Sequence, residues 1–337
     1  MSARIRILDT TMRDGSHSVA HRYTPKQVAT VARMLDQAGV WAIAVGHGDG
    51  LGAASRQYGF GAHPDAELLS AAAAVIERAE LAVALLPGIG TKEDLRAAHD
   101  AGATLVRVST VITEADIGIQ HLGLARELGM TAHSHLNMAA IASVEQTVES
   151  ARIVVEAGST AIYLVDTAGA FLPDEVRERV LALRAALDEG VAIGIHEHNN
   201  LSLAVANSLV AIQAGATIAD VALAGMGAGA GNCQTEALVA VLHRLGYETG
   251  VDLFALQDAA DDYVRTELMP GPIVVDRLTA TMGYANVPAS FLLHVIRAGE
   301  RFGVDPRRII LALGERQAVT GQEDMILEVA GALAAER

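Results

Sequence analysis

The stretch "AGATLVRVST" (Ala101–Thr110) is typical of a helix end that turns into a β-strand. Its opening phrase returns as "AGSTAI" from Ala157 and as "AGATIA" from Ala214, so the chain reuses one β–α unit. Such reuse predicts strands and helices that alternate along the chain, which is the pattern of α/β proteins.

Runs rich in β-forming residues supply eight candidate strands, which begin at Arg4, Trp41, Leu81, Thr104, Thr131, Ala161, Ala192 and Thr217. They are nearly continuously apolar, as expected for parallel strands that are covered on both faces. Helix signals lie between them, for example Thr24 as an N-cap before Pro25, and Gly39 as a stop. Eight such units favour a parallel (β/α)8 TIM barrel. An open doubly wound sheet is the alternative, although no G-x-G-x-x-G follows the first strand.

The alternation stops after about Leu245, and the segments that follow look helical. The sequence therefore predicts a TIM-barrel catalytic domain over residues 1–250. Residues 251–337 are expected to form a helical region that packs on the barrel and serves oligomer or partner docking.

Composition narrows the class of protein. The 337-residue chain has a formal net charge of −15, which argues against nucleic-acid binding because phosphates need a basic surface. The single cysteine, Cys233, excludes an intrachain disulfide framework. There is no run of about 18 apolar residues that would cross a membrane, and no signal-peptide pattern at the start. We expect a soluble, cytoplasmic protein with no membrane contact.

The seventh candidate strand ends in "GIHEHNN" (Gly194–Asn200), in which two histidines are one residue apart. His196 and His198 would face one side of the strand and Glu197 the other. Asp14, in the loop after the first strand, can join them across the barrel mouth to give three protein ligands for a metal. An open site with three ligands is typical of catalysis. The alternative is that the histidines are polar core residues and Asp14 caps a turn.

The neighbours of Asp14 in "RDGSH" suggest further chemistry. Arg13 is a permanent cation suited to a carboxylate or a developing enolate oxygen. His17 can transfer protons near neutral pH. The alternative is a surface loop in which Arg13 pairs with Asp14.

Taken together, the motifs carry a family resemblance. The segments "ILDTTMRDGSH", "HGDGLGAASRQYGFG", "VDTAGA", "HEHNNLSLAVANS", "GMGAGAGNCQTE" and "GQEDMI" resemble those of the 4-hydroxy-2-oxovalerate aldolase family, within the superfamily of 3-hydroxy-3-methylglutaryl-CoA lyase. The resemblance extends along nearly the whole chain. It implies a class II aldolase that splits a 4-hydroxy-2-oxoacid into a 2-oxoacid, such as pyruvate or 2-oxobutyrate, and an aldehyde.

The resemblance also assigns roles. Asp14, His196 and His198 would be the ligands of a divalent metal, usually Mn2+, with Mg2+, Co2+ or Zn2+ also possible. Arg13 would stabilise the enolate, and His17 would take the proton from the 4-hydroxyl. Thr167 stands where the family has a substrate-contacting serine, and the expected substrate-binding residues are Arg13, Asp14, Thr167 and His196. Relatives work with an acylating aldehyde dehydrogenase, so a partner of that kind and a homo-oligomer are expected.

Besides Thr167, two positions depart from the family pattern, and Glu197 and the segment "AHSHLN" also look unusual. The resembled family commonly has an acidic residue where this chain has Ala44, and near Pro288 it has a tyrosine that contacts substrate. Smaller walls at these positions predict an aldehyde larger than acetaldehyde. The competing functions are a CoA-thioester lyase or synthase, a degenerate partner subunit of an aldehyde dehydrogenase, and a non-haem iron oxygenase, which also uses two histidines and a carboxylate.

Overall fold

Eight parallel strands close into a barrel in the computed structural model, which describes residues 4–336. The strands are β1 Arg6–Met12, β2 Ala42–Val45, β3 Glu80–Leu85, β4 Leu105–Val111, β5 Thr131–Asn137, β6 Ala161–Asp166, β7 Ala192–Glu197 and β8 Ile218–Val221. Each pairs in parallel with its sequence neighbours, and β1 pairs with β8 to close the ring. The TIM-barrel prediction is confirmed, and the doubly wound alternative is wrong.

Helices follow the strands around the outside. They are α1 Pro25–Ala38, α2 Asp65–Ala73, α3 Lys92–Asp100, α4 Ile119–Glu127, α5 Val144–Glu156, α6 Pro173–Ala186, α7 Ala204–Gln213 and α8 Thr235–Arg244. The sequence signals act as expected in α1, where the Thr24 side chain accepts a hydrogen bond from the Gln27 amide. Gly39 ends that helix at a φ of 87°, a left-handed conformation that glycine adopts without strain.

Short 3₁₀ helices line the barrel ends at Asp14–Val19, Ile112–Gly118, Ala139–Ile141, Leu223–Gly225 and Ala289–Phe291. The first of these follows β1 directly and carries Asp14 and His17. Its position at the carboxyl end of a strand puts both side chains on the face where barrel enzymes build their sites.

The barrel interior is unusual for its small side chains. Its apolar cluster is Leu8, Ala42, Ala44, Ala82, Leu105, Ala161, Tyr163, Val165 and Ile218. Four of these nine residues are alanines, which leaves room for larger polar side chains along the barrel axis. Ala44 is therefore an interior residue of the barrel.

The C-terminal region is helical, as predicted. It consists of α9 Leu253–Asp258, which continues into the π-helix Ala259–Leu268, and then α10 Arg277–Ala285, α11 Leu292–Phe302, α12 Pro306–Glu315 and α13 Asp324–Ala335. The main core extends from Ile5 to Leu268, and a separate apolar cluster runs from Met282 to Ala330. The division at residue 250 stays a prediction, and we propose a boundary between these two clusters. Across residues 4–336, no helix has both the length and the apolar character needed to cross a membrane.

Candidate active site

A cavity opens at the carboxyl ends of the strands. Its lining consists of Arg13, Asp14, His17, Gly48, Asp49, Leu86, Ser109, His135, Asn137, Val165, Thr167, His196, His198, Ala228, Ser290 and Thr320. All six residues singled out from the sequence are among them, namely Arg13, Asp14, His17, Thr167, His196 and His198. The structure thus brings the predicted site residues to one cavity, while their roles stay predictions.

Asp14, His196 and His198 form a compact buried group whose ligand atoms all lie within 4.8 Å of one another. His196 is the penultimate residue of β7, and His198 follows the strand by one residue and bridges to Asn232. Alternation along the strand puts both imidazoles on the cavity side. These three side chains are able to hold a metal ion.

The two imidazoles are held by different groups. His198 Nδ1 lies 3.0 Å from the backbone oxygen of Asp166, and a carbonyl only accepts, so this nitrogen donates. Its Nε2 then faces Asp14 Oδ2 at 3.5 Å. His196 Nδ1 lies 3.3 Å from Asp220 Oδ2, at an angle outside that of a well-formed hydrogen bond. In both rings Nδ1 faces the protein scaffold.

Asp14 is surrounded by donors. Its Oδ1 accepts from Arg13 Nη1 at 3.0 Å, and its Oδ2 accepts from Asn232 Nδ2 at 2.6 Å. Burial raises the pKa of Asp14, but the Arg13 charge and the His198 contact outweigh burial and hold that pKa well below 3.8. Burial by itself lowers the pKa of His198. The pairing of His198 with Asp14 has the larger effect and raises that pKa above 6.5. Asp14 is therefore an anion at neutral pH.

Arg13 and His17 lie beside this group. The guanidinium of Arg13 also donates to Gly48 O at 3.1 Å and to Thr10 Oγ1 at 3.2 Å, which fixes its plane. His17 Nε2 lies 4.0 Å from Asp14 Oδ1 and 3.9 Å from Asp49 Oδ1. A Cβ on residue 48 would lie 2.5 Å from that nitrogen and clash with it, so Gly48 is needed for His17 to keep this position.

Thr167 sits on the opposite side of the cavity, directly after β6. Its Oγ1 accepts from the Met138 amide at 2.8 Å, which leaves its own proton available to donate. The contact fixes the hydroxyl at the cavity wall.

A second group, His17, His21 and Asp49, also has ligand atoms close together. In that group His21 Nδ1 already lies 2.9 Å from Ser16 Oγ and accepts from the Gly48 amide. Burial lowers the pKa of His21 to about 2, so its ring is neutral. This histidine has a structural role in the loop.

Of the departures from the family pattern, Thr167 lines the cavity, whereas Ala44, Pro288 and Glu197 do not. Ala44 belongs to the barrel interior, so the expectation that it widens the cavity is not supported. Pro288 is buried before the 3₁₀ helix Ala289–Phe291, and Ser290 is the nearest lining residue of that segment. Glu197 is fully buried on the outer face of β7, where its Oε2 accepts from Asn207 Nδ2 at 3.1 Å.

Several lining residues were not singled out from the sequence. Asp49 belongs to "GHGDG" after β2, and its position after the end of a barrel strand is a sequence feature that indicates an active-site residue. Ser290 and Thr320 come from the C-terminal region, and no local pattern marks either of them as part of a site.

Comparisons with known proteins find relatives along nearly the whole chain. The HMGL-like family matches residues 4–262, and the DmpG-like communication domain matches residues 273–335. A 4-hydroxy-2-oxovalerate aldolase of Moorella thermoacetica is 52% identical over 338 residues, covering 100% of this chain and 99% of the relative. A 4-hydroxy-2-oxovalerate aldolase of Geobacillus genomosp. 3 is 50% identical over 333 residues, covering 99% and 98%.

Solved structures support the fold alone. A pyruvate carboxylase of Rhizobium etli superposes with a TM-score of 0.84 at 18% identity, covering 99% of this chain and 32% of that one. The N-terminal domain of a putative aldolase from Bacteroides vulgatus gives a TM-score of 0.71 at 21% identity, covering 87% and 96%.

The fold and the two family matches together define a TIM-barrel protein of the HMGL-like class that is joined to a DmpG-like communication domain. Near 50% identity along the full length makes the relationship more specific. The chain belongs to the 4-hydroxy-2-oxovalerate aldolase family, and it is a carbon–carbon lyase.

Proposed function

We propose that this enzyme is a divalent-metal-dependent aldolase that cleaves or forms a 4-hydroxy-2-oxoacid. Its products in the cleavage direction are a 2-oxoacid, such as pyruvate or 2-oxobutyrate, and an aldehyde. The observation that carries the proposal is the convergence of Asp14, His196 and His198 in the cavity that also holds Arg13 and His17.

The donor set fits a divalent metal. Two imidazoles and one carboxylate are able to hold a divalent metal, and the family resemblance makes Mn2+ the first choice, with Mg2+, Co2+ or Zn2+ as alternatives. The scaffold contacts on Nδ1 of His196 and His198 leave Nε2 of each ring for coordination. Asn232 Oδ1 is buried and accepts no hydrogen bond from residues 4–336, so it is a candidate for a further oxygen ligand. When bound, the metal supplies Lewis-acid polarisation of the 2-keto oxygen.

Arg13 has the charge and the geometry to stabilise the enolate. Its guanidinium is held by three oxygen acceptors at the cavity edge and keeps a fixed orientation. A donor that is already oriented where negative charge develops lowers the barrier without reorganising during the reaction. We assign Arg13 to the enolate oxygen.

His17 is the proposed base. It takes the proton from the 4-hydroxyl, the C4–O bond becomes the aldehyde carbonyl, and the C3–C4 bond breaks. The electron pair of that bond forms the enolate, which takes a proton from solvent at C3 to become the 2-oxoacid, while the imidazolium of His17 gives its proton back to solvent. The carboxylates of Asp14 and Asp49 lie on either side of His17 and stabilise the imidazolium that forms when it takes the proton.

The substrate-binding residues are proposed to be Arg13, Asp14, Thr167 and His196. The hydroxyl of Thr167 is fixed by Met138 and faces the cavity, where it is able to donate to the substrate carboxylate. Asp14 and His196 would contact the substrate through the shared metal site.

The aldehyde is proposed to be larger than acetaldehyde. Ser290 is the cavity residue of the segment in which relatives carry a tyrosine, and Leu86 and Asn137 line the wall elsewhere. A serine at this wall occupies less volume than a phenol ring. Ala44 is an interior residue and does not enlarge the cavity, so the segment around Pro288 alone supports a larger aldehyde.

A partner is proposed for the C-terminal region. Its match to a DmpG-like communication domain supports docking of an acylating aldehyde dehydrogenase, which would receive the aldehyde directly. We also propose a homo-oligomer. Size-exclusion chromatography of the enzyme mixed with an acylating aldehyde dehydrogenase tests whether the two proteins bind each other. Separate elution at micromolar concentrations would count against this partner.

The CoA-thioester lyases of the resembled superfamily carry a cysteine inside the glycine-rich loop, and Cys233, which follows Asn232, is not in that place. Its thiol is fully buried and is not part of the cavity lining, and burial raises its pKa to about 12. A thiol in that state does not act on a substrate at the barrel mouth.

The deciding experiment is an aldolase assay on metal-free protein reconstituted with Mn2+. Pyruvate and 2-oxobutyrate are each combined with a panel of aldehydes, and a CoA ester and O2 consumption with Fe2+ serve as controls. Metal-dependent carbon–carbon bond formation supports the proposal. Activity with the CoA ester alone, oxygen consumption, or no dependence on metal would replace it with one of the alternatives.

A further inference from the structure

An ion pair is buried inside the barrel below the site. Arg107 on β4 donates through Nη1 to Asp220 Oδ2 on β8 at 2.6 Å, and both side chains are 0% exposed. Barrel interiors are normally filled by branched apolar side chains. Burying two charges costs desolvation energy that their attraction often fails to recover, so stability alone does not explain the pair.

The same carboxylate oxygen touches the candidate metal site. Asp220 Oδ2 lies 3.3 Å from His196 Nδ1 and 3.7 Å from His135 Nε2. Inward-facing positions on β4, β5, β7 and β8 thus meet at one carboxylate. The residues that line this meeting point are fully buried, so their geometry is set by one another and not by solvent.

We propose that Asp220 is a positioning residue, which holds His196 through Nδ1 and so directs Nε2 towards Asp14 and His198, while Arg107 fixes the carboxylate. The metal ligation of His196 belongs to the proposed function, and the orientation of its ring is a separate claim. Neither Arg107 nor Asp220 lines the cavity, so both act through His196.

The two histidines differ in how they are held. His198 donates through Nδ1 to a backbone oxygen, that of Asp166, which no side-chain substitution removes. Among residues 4–336, the group recorded at the corresponding nitrogen of His196 is the Asp220 side chain. A change at Asp220 should therefore disturb one ligand and leave the other in place. Outer contacts of this kind are worth roughly 10–100-fold in metal affinity.

Replacing Asp220 alone would leave the Arg107 cation buried without its partner, and such a variant risks misfolding. The test therefore starts from Arg107→Met, which removes the charge and keeps an extended apolar side chain. Asp220→Asn in that background keeps an acceptor oxygen near His196 Nδ1. Asp220→Leu in the same background keeps the volume and removes the acceptor. Both double variants lack buried charge at the pair, so their stabilities can be compared directly.

The first measurement is Mn2+ titration of the metal-free proteins by calorimetry, with the visible spectrum of the Co2+ forms as a report on ligand geometry. We expect Arg107→Met/Asp220→Asn to bind close to wild type. Arg107→Met/Asp220→Leu should bind roughly 10–100-fold more weakly and show an altered Co2+ spectrum. Glu197→Gln, a buried carboxyl on the opposite face of β7, is the matched control and should bind as wild type does.

The second measurement needs no metal. Nitrogen-15 spectra of the His196 ring report which nitrogen carries the proton. We expect Nδ1–H in wild type and in the Asn double variant, and a loss of this preference in the Leu double variant. Equal Mn2+ affinity and equal ring spectra in the two double variants would overturn the positioning role. Absence of Mn2+ binding by wild type would instead overturn the proposed function, and the ring spectra would still decide the role of Asp220.

Discussion

Replacement of His17 by alanine distinguishes the role of the proposed base from that of the metal ligands. His17 approaches the proposed ligand set only through Asp14, at 4.0 Å, and its other charged neighbour is Asp49. The contacts that hold Asp14, from Arg13 at 3.0 Å and from Asn232 at 2.6 Å, do not involve His17. Mn2+ affinity and 2-oxoacid binding should therefore stay close to wild type.

Turnover should fall far more than binding. A positioned general base is worth roughly 10²–10⁴-fold in rate, which corresponds to about 3–5 kcal/mol of transition-state stabilisation. Since His17 lies at the cavity edge with 16% of its side chain exposed, water can occupy part of its volume and rescue some of the loss. We expect the fall in kcat to lie within that range, with KM for the oxoacid little changed.

Two substrates make the assay specific. Aldol cleavage needs a base for the 4-hydroxyl proton, whereas loss of CO2 from oxaloacetate gives the same enolate without that proton transfer. His17→Ala should lose cleavage and keep decarboxylation, while Arg13→Ala should lose both. Unchanged cleavage, or equal loss of both reactions in His17→Ala, would refute the assignment of His17 as the base.

Further predictions concern stability and specificity. Burial raises the pKa of Asp9 from 3.8 to about 6 against the hydrogen bonds that it accepts, so the folded state keeps a proton that the unfolded chain has released. The free energy of unfolding should fall by about 2 kcal/mol from pH 4 to 6 on this account, and urea titrations should show a smaller fall in Asp9→Asn. Burial raises the pKa of Glu197 well above 4.5. Glu197→Gln removes the buried acid and keeps the size of the side chain, so this variant should keep the melting temperature and the metal content of wild type. Wild type should accept aldehydes larger than acetaldehyde, and Pro288→Tyr should shift kcat/KM towards small ones, with about 1–3 kcal/mol per excluded methylene. A steady fall of kcat/KM with aldehyde size in wild type, unaltered in the variant, would remove the case for a roomy pocket.

Much of the fold and the site could be predicted because the signals are local. The helix-to-strand phrases at Ala101, Ala157 and Ala214 each mark a β–α unit, and the parallel barrel is the closed form of eight such units. Strand alternation put His196 and His198 on one side without knowledge of any neighbour. The topology then required Asp14, at the end of β1, to share their face of the barrel.

Other features depend on residues far apart in the chain. Arg107 in "LVRVST" has no local partner, and its carboxylate comes from Asp220, 113 residues later. Ser290 and Thr320 reach the cavity only because the C-terminal helices pack over the barrel mouth. Ala44 lies near the end of β2, which favoured a place at the cavity, but its side chain packs in the barrel interior and the cavity lining of this segment begins four residues later, at Gly48.

The central claim is that Asp14, His196 and His198 bind the metal on which catalysis depends. The most direct measurement is the metal content of wild type, Asp14→Ala and His196→Ala after equilibration with Mn2+, taken alongside aldolase activity on the same samples. The claim predicts stoichiometric Mn2+ in wild type, and loss of both metal and activity in each variant with the fold retained by circular dichroism. A variant that keeps stoichiometric Mn2+, or keeps activity after losing it, would contradict the claim.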